Sequence, residues 1–291
     1  MPQARKVINM IKLENTVTPS PEQWKATIRG TRNPMNSWGK SDSQFWPGHM
    51  RIGENDLDLM KRLIKAGTDH SKFMRFLPVM VDITAPLYWW KEFDTYKVGT
   101  VANSCSTMHK IQAQEFTLDD FSCEHLDIRT KALLEEIIKA LNDYRELYIE
   151  YNPDDFEIKG CPSKKDIWWQ MIQLLPSSYN QKRTVMLNYA VLRNIYHARA
   201  GHKLDEWQQF REWIETLPYS ELITMDSVPK SNKDKIADLS EILKSDKLIR
   251  EAFCGSVASA LYEIPDGVDL SVQEIAERIT NRVVGDENGS N

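Results

Sequence analysis

No apolar stretch in this 291-residue chain comes near the ~20 residues needed to cross a bilayer. The opening Met1-Pro2-Gln3-Ala4-Arg5-Lys6 also lacks the apolar core of a signal peptide, so a cytoplasmic setting is the expectation. Cysteine is sparse: Cys105, Cys123, Cys161 and Cys254 form no Cys-x-x-Cys pair, which argues against a disulfide framework or a zinc ribbon and for reduced, mostly buried thiols. There is no excess of positive charge either. The formal charge of −5 comes from residues 226 to 291, which hold 8 Lys+Arg against 13 Asp+Glu, leaving 29 of each in residues 1 to 225. A balanced main body offers no extended nucleic-acid surface, so any nucleotide bound is expected to be small. No internal repeat is visible.

What is present is a hydrophobic content of 41%, including 10% aromatic, ample for a packed core. Residues 1 to 50 are broken by Asn33-Pro34, Trp38-Gly39 and Trp46-Pro47-Gly48, with a short helix expected after Pro19-Ser20-Pro21. Asn55 can cap a helix bearing Leu57, Met60, Leu63 and Ile64 on one side, which Gly67 ends. Phe73 to Ile83 fits a mostly buried strand edged at Pro78. Thr117-Leu118-Asp119-Asp120 starts a helix, and Ile128 to Tyr148 forms a long one. Ser163 caps a helix that stops at Leu175-Pro176. A strand from Arg183 to Leu187 then meets Asn188, cap of a helix from Tyr189 to Arg199, and Gly201 separates that helix from another at Lys203 to Thr216. Beyond a linker at 228–233, a capping box at Ser271-Val272-Gln273-Glu274 and the stripe Val272, Ile275, Ile279, Val283 indicate an accessory helical unit.

The most informative segment runs from Asp82 to His109: a strand end, an aromatic helix opened by Pro86, and a small polar loop, Asn103-Ser104-Cys105-Ser106. Small side chains let a loop approach a ligand closely. The adjacent Trp89 and Trp90 suit either a core or a stacking platform. Cys105 is either a nucleophile or a small buried thiol, its flanking hydroxyls doing little to lower its pKa. Cys123-Glu124-His125 lacks a second ligand pair at metal-binding spacing, so no metal is expected. His197 and His202 flank Arg199 and could tune it, or lie on a solvated helix end.

Across residues 60 to 216 the order and spacing of these features resemble the flavin-dependent thymidylate synthase family, which makes thymidylate from deoxyuridylate with FAD, methylenetetrahydrofolate and NADPH. The resemblance is carried by Leu175-Pro176, Asn188, Asn194 and Arg199, then Leu204-Asp205-Glu206-Trp207 where the family has Ala-Gln-Trp-Glu. In the first half, Asn103 and Ser106 match the family's Asn-Glu-x-Ser, Ser104 replaces the Glu, and Met108-His109 replaces Arg-Tyr. Depending on loop length, the family's Arg-His-Arg falls at Tyr96-Lys97-Val98 or, anchored on Ala85-Pro86, at Thr95-Tyr96-Lys97, which keeps one cation at Lys97, and a further arginine falls at Ile172. His70 lies near a Gly-His turn of the family.

The resemblance implies an α+β fold, a mixed sheet with flanking helices over residues 1 to 225, and a homotetramer with sites shared between subunits; the helical extension at 226 to 291 is read from its own residues. It implies FAD held by His70, Lys97, Asn188 and Asn194, with NADPH and methylenetetrahydrofolate as the further reactants. A pyrimidine nucleotide or nucleoside would be lined by Asn103, Ser104 and Ser106 and polarised by Arg199. A guanidinium at a pyrimidine carbonyl stabilises charge that develops on oxygen during attack at the ring. Arginines that would hold the nucleotide phosphate are missing, so altered phosphate recognition is expected. Lys91, Lys97, Lys110 and Arg183 are the local replacements in sequence. The alternatives are a non-catalytic descendant that binds a nucleotide or a partner, and a purely structural oligomer.

Overall fold

The computed structural model describes residues 10–152 and 162–226. In chain order the elements are β1 (Lys12–Val17), α1 (Pro21–Arg32), β2 (Gln44–Trp46), β3 (His49–Arg51), α2 (Glu54–Lys65), β4 (Pro78–Pro86), α3 (Leu87–Phe93), β5 (Val101–Ser104) and α4 (Thr107–Lys110). There follow α5 (Ile128–Glu150), α6 (Lys164–Leu174), β6 (Asn180–Asn188), α7 (Tyr189–Ala198), α8 (Asp205–Glu215) and α9 (Glu221–Thr224). The main sheet runs β1-β4-β6-β5, and each of its pairings is antiparallel. This is the α+β architecture of a sheet flanked by helices that the sequence led us to expect. The accessory helices read beyond residue 226 lie outside the described residues. Among the described residues no helix is long and apolar enough to cross a membrane.

The centre of the sheet is the β4–β6 pair, in register from Pro78 opposite Asn188 to Pro86 opposite Asn180. Alternation sends Val79, Val81, Ile83 and Ala85 with Val185 and Leu187 into the core. On the other face Asp82 accepts hydrogen bonds from Thr184 Oγ1 at 2.7 Å and Asn15 Nδ2 at 2.9 Å, with Lys182 Nζ 3.2 Å away. Those donors, Thr184 first, hold the Asp82 carboxyl at about 2. Pro78 opens β4, where its missing N–H costs the ladder nothing. The residues before it, Lys72–Phe76, form a 3₁₀ turn rather than the strand expected from Phe73. Hydrophobic content alone does not separate the two over five residues.

Two strands of the main sheet are not legible in the sequence. β1 is polar on its exposed side and sits in a stretch rich in turn formers, and β5 is the exposed edge strand made of Val101-Ala102-Asn103-Ser104. Both borrow their conformation from the neighbouring ladder rather than from local propensity. The segment expected to start a helix at Thr117 makes a single 3₁₀ turn, Leu118–Asp120, closed by a Thr117–Asp120 capping box. Asn55 lies inside α2; the cap is supplied from a distance by Asp42, whose carboxylate accepts the N–H of Asn55 at 3.0 Å and of Asp56 at 3.1 Å. Asp56 is buried and paired with Arg32 at 2.5 Å. Burial opposes its ionisation, yet hydrogen bonds from Ser43, Ser41 and Arg32 together hold its carboxyl below the ordinary range.

The aromatic helix α3 is core. Trp89, Trp90 and Phe93 are buried among Trp207 and Phe210, with ring centroids of Trp89 and Trp207 4.7 Å apart. Its first N–H groups are satisfied by the loop ahead of β6: Leu87 donates to the Tyr179 carbonyl and Tyr88 to that of Ser177, both at 3.0 Å. A second hydrophobic cluster, Ile111, Phe116, Phe121, Leu134, Ile138, Leu141 and Met171, joins α5 and α6 to the loops after β5.

Candidate functional site

Two antiparallel strands and their following helices bring the two halves of the site together. β4 delivers α3, and β6 delivers α7; the segment from Glu92 to Gly99 then lies along α7 in the opposite direction. At one end Glu92 and Tyr96 grip Arg199, and at the other Asn188 Nδ2 donates to the Gly99 carbonyl at 3.5 Å. Gly99 has φ +81°, and an added Cβ would lie 3.1 Å from Asn188 Nδ2 and 3.2 Å from Val191 Cγ2. The close approach therefore needs glycine twice over.

Arg199 follows α7 directly, its backbone N–H returning to the Ile195 carbonyl at 3.0 Å. Its side chain is 16% exposed. Nη1 donates to Glu92 Oε2 at 2.8 Å and Nε to the Tyr96 hydroxyl at 2.8 Å, while the guanidinium lies 4.6 Å from the centre of the Trp207 ring. Nη2 makes no hydrogen bond among the described residues and reaches solvent. The plane of the fork is thus fixed on two nitrogens and one face, with the third nitrogen presented outward.

Glu92 Oε2 also takes His202 Nε2 at 2.9 Å and Trp207 Nε1 at 3.3 Å. The tautomer of His202 follows from its other nitrogen, since Nδ1 accepts the Leu204 N–H at 3.2 Å and Nε2 must then carry the proton given to Glu92. Behind Trp207, the buried Glu206 carboxylate accepts the Tyr88 hydroxyl, which also lies 2.9 Å from Ser122 Oγ. Burial first, then the bond to Glu206, pushes the Tyr88 phenol well above its ordinary range. This neutral hydroxyl and buried acid lock α8 against α3.

The other sequence-derived candidates are spread along this frame. Asn188 is the N-cap of α7, its Oδ1 accepting the Val191 N–H at 3.1 Å. With a rise of 1.5 Å per residue it stands about 16 Å from Arg199 along the axis. Asn194 and Lys97 are exposed, and His70 is exposed in the turn ahead of the 3₁₀ segment. Asn103 and Ser104 belong to the exposed edge strand rather than a loop, opposite Thr184 and Arg183, so their side chains leave on opposite faces of the sheet. Ser106 caps α4, its hydroxyl accepting the His109 N–H at 3.1 Å. Arg183 is occupied: it pairs with Asp94 at 2.8 Å and lies 4.2 Å over Trp90.

Three smaller expectations concern the cysteines and histidines. Cys105 is exposed and Cys123 half-buried, against the expectation of mostly buried thiols; Cys105 sits on the edge strand's last turn, held by backbone bonds that leave the side chain outside. His125 pairs with Asp205 at 3.4 Å on the surface, and no group of three metal-type ligands occurs among the described residues. His197 Nε2 lies 3.2 Å from the Ile223 carbonyl. The residue missed in the sequence is Glu92. Only the fold brings it to Arg199, 107 positions away.

No family model and no curated protein matches the chain. Among solved structures, thymidylate synthase X from Helicobacter pylori with FAD and dUMP aligns at 15% identity and a TM-score of 0.49, over 74% of this chain and 96% of its own. A second structure of the flavin-dependent thymidylate synthase from that organism, complexed with FAD and dUMP, gives 15% and 0.48, over 74% and 97%. At such scores the likeness is one of outline and says nothing of the site.

Proposed function

We propose that this chain binds a pyrimidine nucleotide or nucleoside and carries out a flavin-dependent one-carbon modification of it, in the manner of a thymidylate synthase with altered phosphate recognition. The observation that carries the reading is the mounting of Arg199. A guanidinium held by Glu92 and Tyr96 and backed by Trp207 keeps Nη2 aimed outward. Placed against a ring carbonyl, that N–H stabilises negative charge growing on the oxygen without reorganising at the moment of reaction. Arg199 is the catalytic group of this proposal, and the segment of Asn103, Ser104 and Ser106 lines the pyrimidine, with Asn103 and Ser104 on opposite faces of the strand so that one of the two gives only its backbone.

The donors along α7 and the 94–100 loop suit FAD in kind: Lys97 offers one cation for a phosphate, and Asn188 and Asn194 offer amides for a flavin edge. They form an open ridge, with Lys97 and Asn194 exposed. A ridge of this sort becomes a site when a second surface covers it, which agrees with a homotetramer sharing its sites. His70, in the neighbouring turn, completes the cofactor set. Bound reduced flavin supplies hydride chemistry, and the protein's part is to hold and orient. NADPH and methylenetetrahydrofolate are the further reactants, and a cytoplasmic setting suits them.

The visible spectrum of the purified protein with and without added FAD is the first test. Absence of flavin binding at micromolar concentrations overturns the reading. If flavin binds, dUMP, deoxyuridine or dCMP should speed oxidation of the reduced form, and Arg199→Ala should abolish that effect. Unchanged turnover in the variant removes Arg199 from the chemistry. A second reading, a non-catalytic nucleotide- or partner-binding descendant, is favoured by the Glu92–Arg199 ion pair, which offsets the charge a catalyst would use. It predicts nucleotide binding without flavin uptake.

A further inference from the structure

The missing phosphate-binding arginines have a counterpart elsewhere in the fold. Between the first two turns of α6, the end of α5 and the short helix α4 lies an open groove of about 390 Å³, lined by Met108, His109, Tyr148, Lys164, Lys165 and Trp168. Its volume lies in the range of small-molecule sites. Among the described residues the lining holds two lysines and a histidine and no carboxylate. Asp166, the nearest acid in sequence, is turned away into the α6 capping box, where its Oδ2 accepts from Ser163 Oγ at 2.6 Å and Ser163 N at 2.8 Å. The helix end is therefore already capped, and the cations the groove offers are the two lysine side chains.

The aromatic walls are fixed. Trp168 Nε1 donates to the Met108 carbonyl at 3.1 Å, which sets the ring and ties α6 to α4. Lys164 Nζ rides 4.8 Å from the centre of the Tyr148 ring and 5.9 Å from that of Tyr151, and the charge of Lys165 acts on the neighbouring Asp166 carboxylate. The polar loop leads into this lining along the chain: Ser106 caps α4, which carries Met108 and His109.

We infer that this groove holds the phosphate of a nucleoside monophosphate, with Lys164 and Lys165 as the charge-assisted donors and Trp168 as the wall against the sugar and base. The inference rests on the reading above that the 103–106 segment faces a pyrimidine. Two flexible lysines replace arginine forks here, so recognition is of charge more than of geometry.

Calorimetric titration of the full chain with dUMP, deoxyuridine and inorganic phosphate tests it. In the wild type dUMP binds more tightly than deoxyuridine, and inorganic phosphate competes with it. The double variant Lys164→Ala/Lys165→Ala should weaken dUMP by about tenfold or more and leave deoxyuridine within about twofold. Lys164→Arg/Lys165→Arg should restore dUMP binding, which a merely misfolded double variant could not explain. Equal affinity for dUMP in the alanine variant and the wild type overturns the inference, as does an equal loss for both ligands. The two readings fail separately. Flavin oxidation stimulated by dUMP with no lysine dependence sinks the groove alone, whereas lysine-dependent dUMP binding with no stimulated oxidation sinks the catalytic proposal alone.

Discussion

Replacing Asn188 separates two roles that the same side chain could play. Its Oδ1 caps α7 by accepting the Val191 N–H at 3.1 Å, whereas its Nδ2 makes only a 3.5 Å contact to the Gly99 carbonyl, at the outer limit of a hydrogen bond. Asn188→Ala removes the cap, a change that costs about 1 kcal/mol in comparable helices. In a folded unit of roughly 200 residues this lowers Tm by about 2–4 °C. Asn188→Asp keeps an acceptor at the same place and puts a negative charge at a helix N-terminus, where it is favourable by about 0.3–1 kcal/mol. Its Tm should return to within a degree or two of the wild type. The aspartate lacks the amide N–H, however, so flavin affinity should stay low in both variants.

Thermal unfolding followed by circular dichroism without flavin, and flavin titration followed by absorbance, read the two roles apart. An aspartate variant as unstable as the alanine variant would refute capping as the structural role. An aspartate variant that binds flavin like the wild type would remove the amide, and Asn188 with it, from the cofactor set.

Three further substitutions probe the frame. Gly99→Ala places a Cβ against Asn188 and Val191 at φ +81°, and should lower the urea midpoint by an amount equivalent to about 1–2 kcal/mol; an unchanged midpoint would mean that the loop is not fastened to α7. Gly53→Ala would set its Cβ 2.1 Å from Asp42 Cγ and 2.6 Å from the Asp42 carbonyl carbon, displacing the cap of α2. A loss above about 2 kcal/mol is expected, whereas Gly39→Ala, with nothing within 4 Å, should stay within about 0.5 kcal/mol in the same assay. Asp82 has a carboxyl depressed to about 2, so its contribution to stability is present above about pH 4 and is lost as pH falls through about 2. Asp82→Asn should flatten that part of the acid limb, and an identical acid limb in the variant would remove Asp82 as its source.

The elements that could be read in the sequence are those whose signal is local. Ser163 with Asp166 and Asn188 with Val191 are caps within three residues, and the structure has both. The nine-residue β6 extends beyond the stretch Arg183 to Leu187 because Asn180, Gln181 and Lys182 pair with β4 despite their polarity. β1 and β5 exist only as partners of that central pair, so nothing in their own residues announces them. The same holds for the site. Arg199 and Trp207 stand out by type and spacing, but Glu92 reads as an ordinary polar residue at the end of an aromatic helix until α3 is laid against α7.

That juxtaposition bears on how the candidate residues should be weighed. Asn188, Tyr96, Glu92 and Arg199 are the points at which the 92–99 segment is fixed to α7, so each serves the frame whatever it does for a ligand. Loss of activity on replacing any of them therefore says little by itself. The distinguishing feature is what the frame leaves over. Its bonds consume Nε and Nη1 of Arg199 and the Oδ1 of Asn188, and they leave Arg199 Nη2 unbonded and Asn188 Nδ2 held only at 3.5 Å. Fastening to Glu92 and Tyr96 uses Nη1 and Nε of the guanidinium; a ligand that accepts a hydrogen bond in the plane of the fork would use the third nitrogen. Arg199→Lys would keep the ion pair with Glu92 and lose both the Nε bond to Tyr96 and the outward donor, so a thermal midpoint near that of the wild type together with lost turnover would assign the outward nitrogen to function.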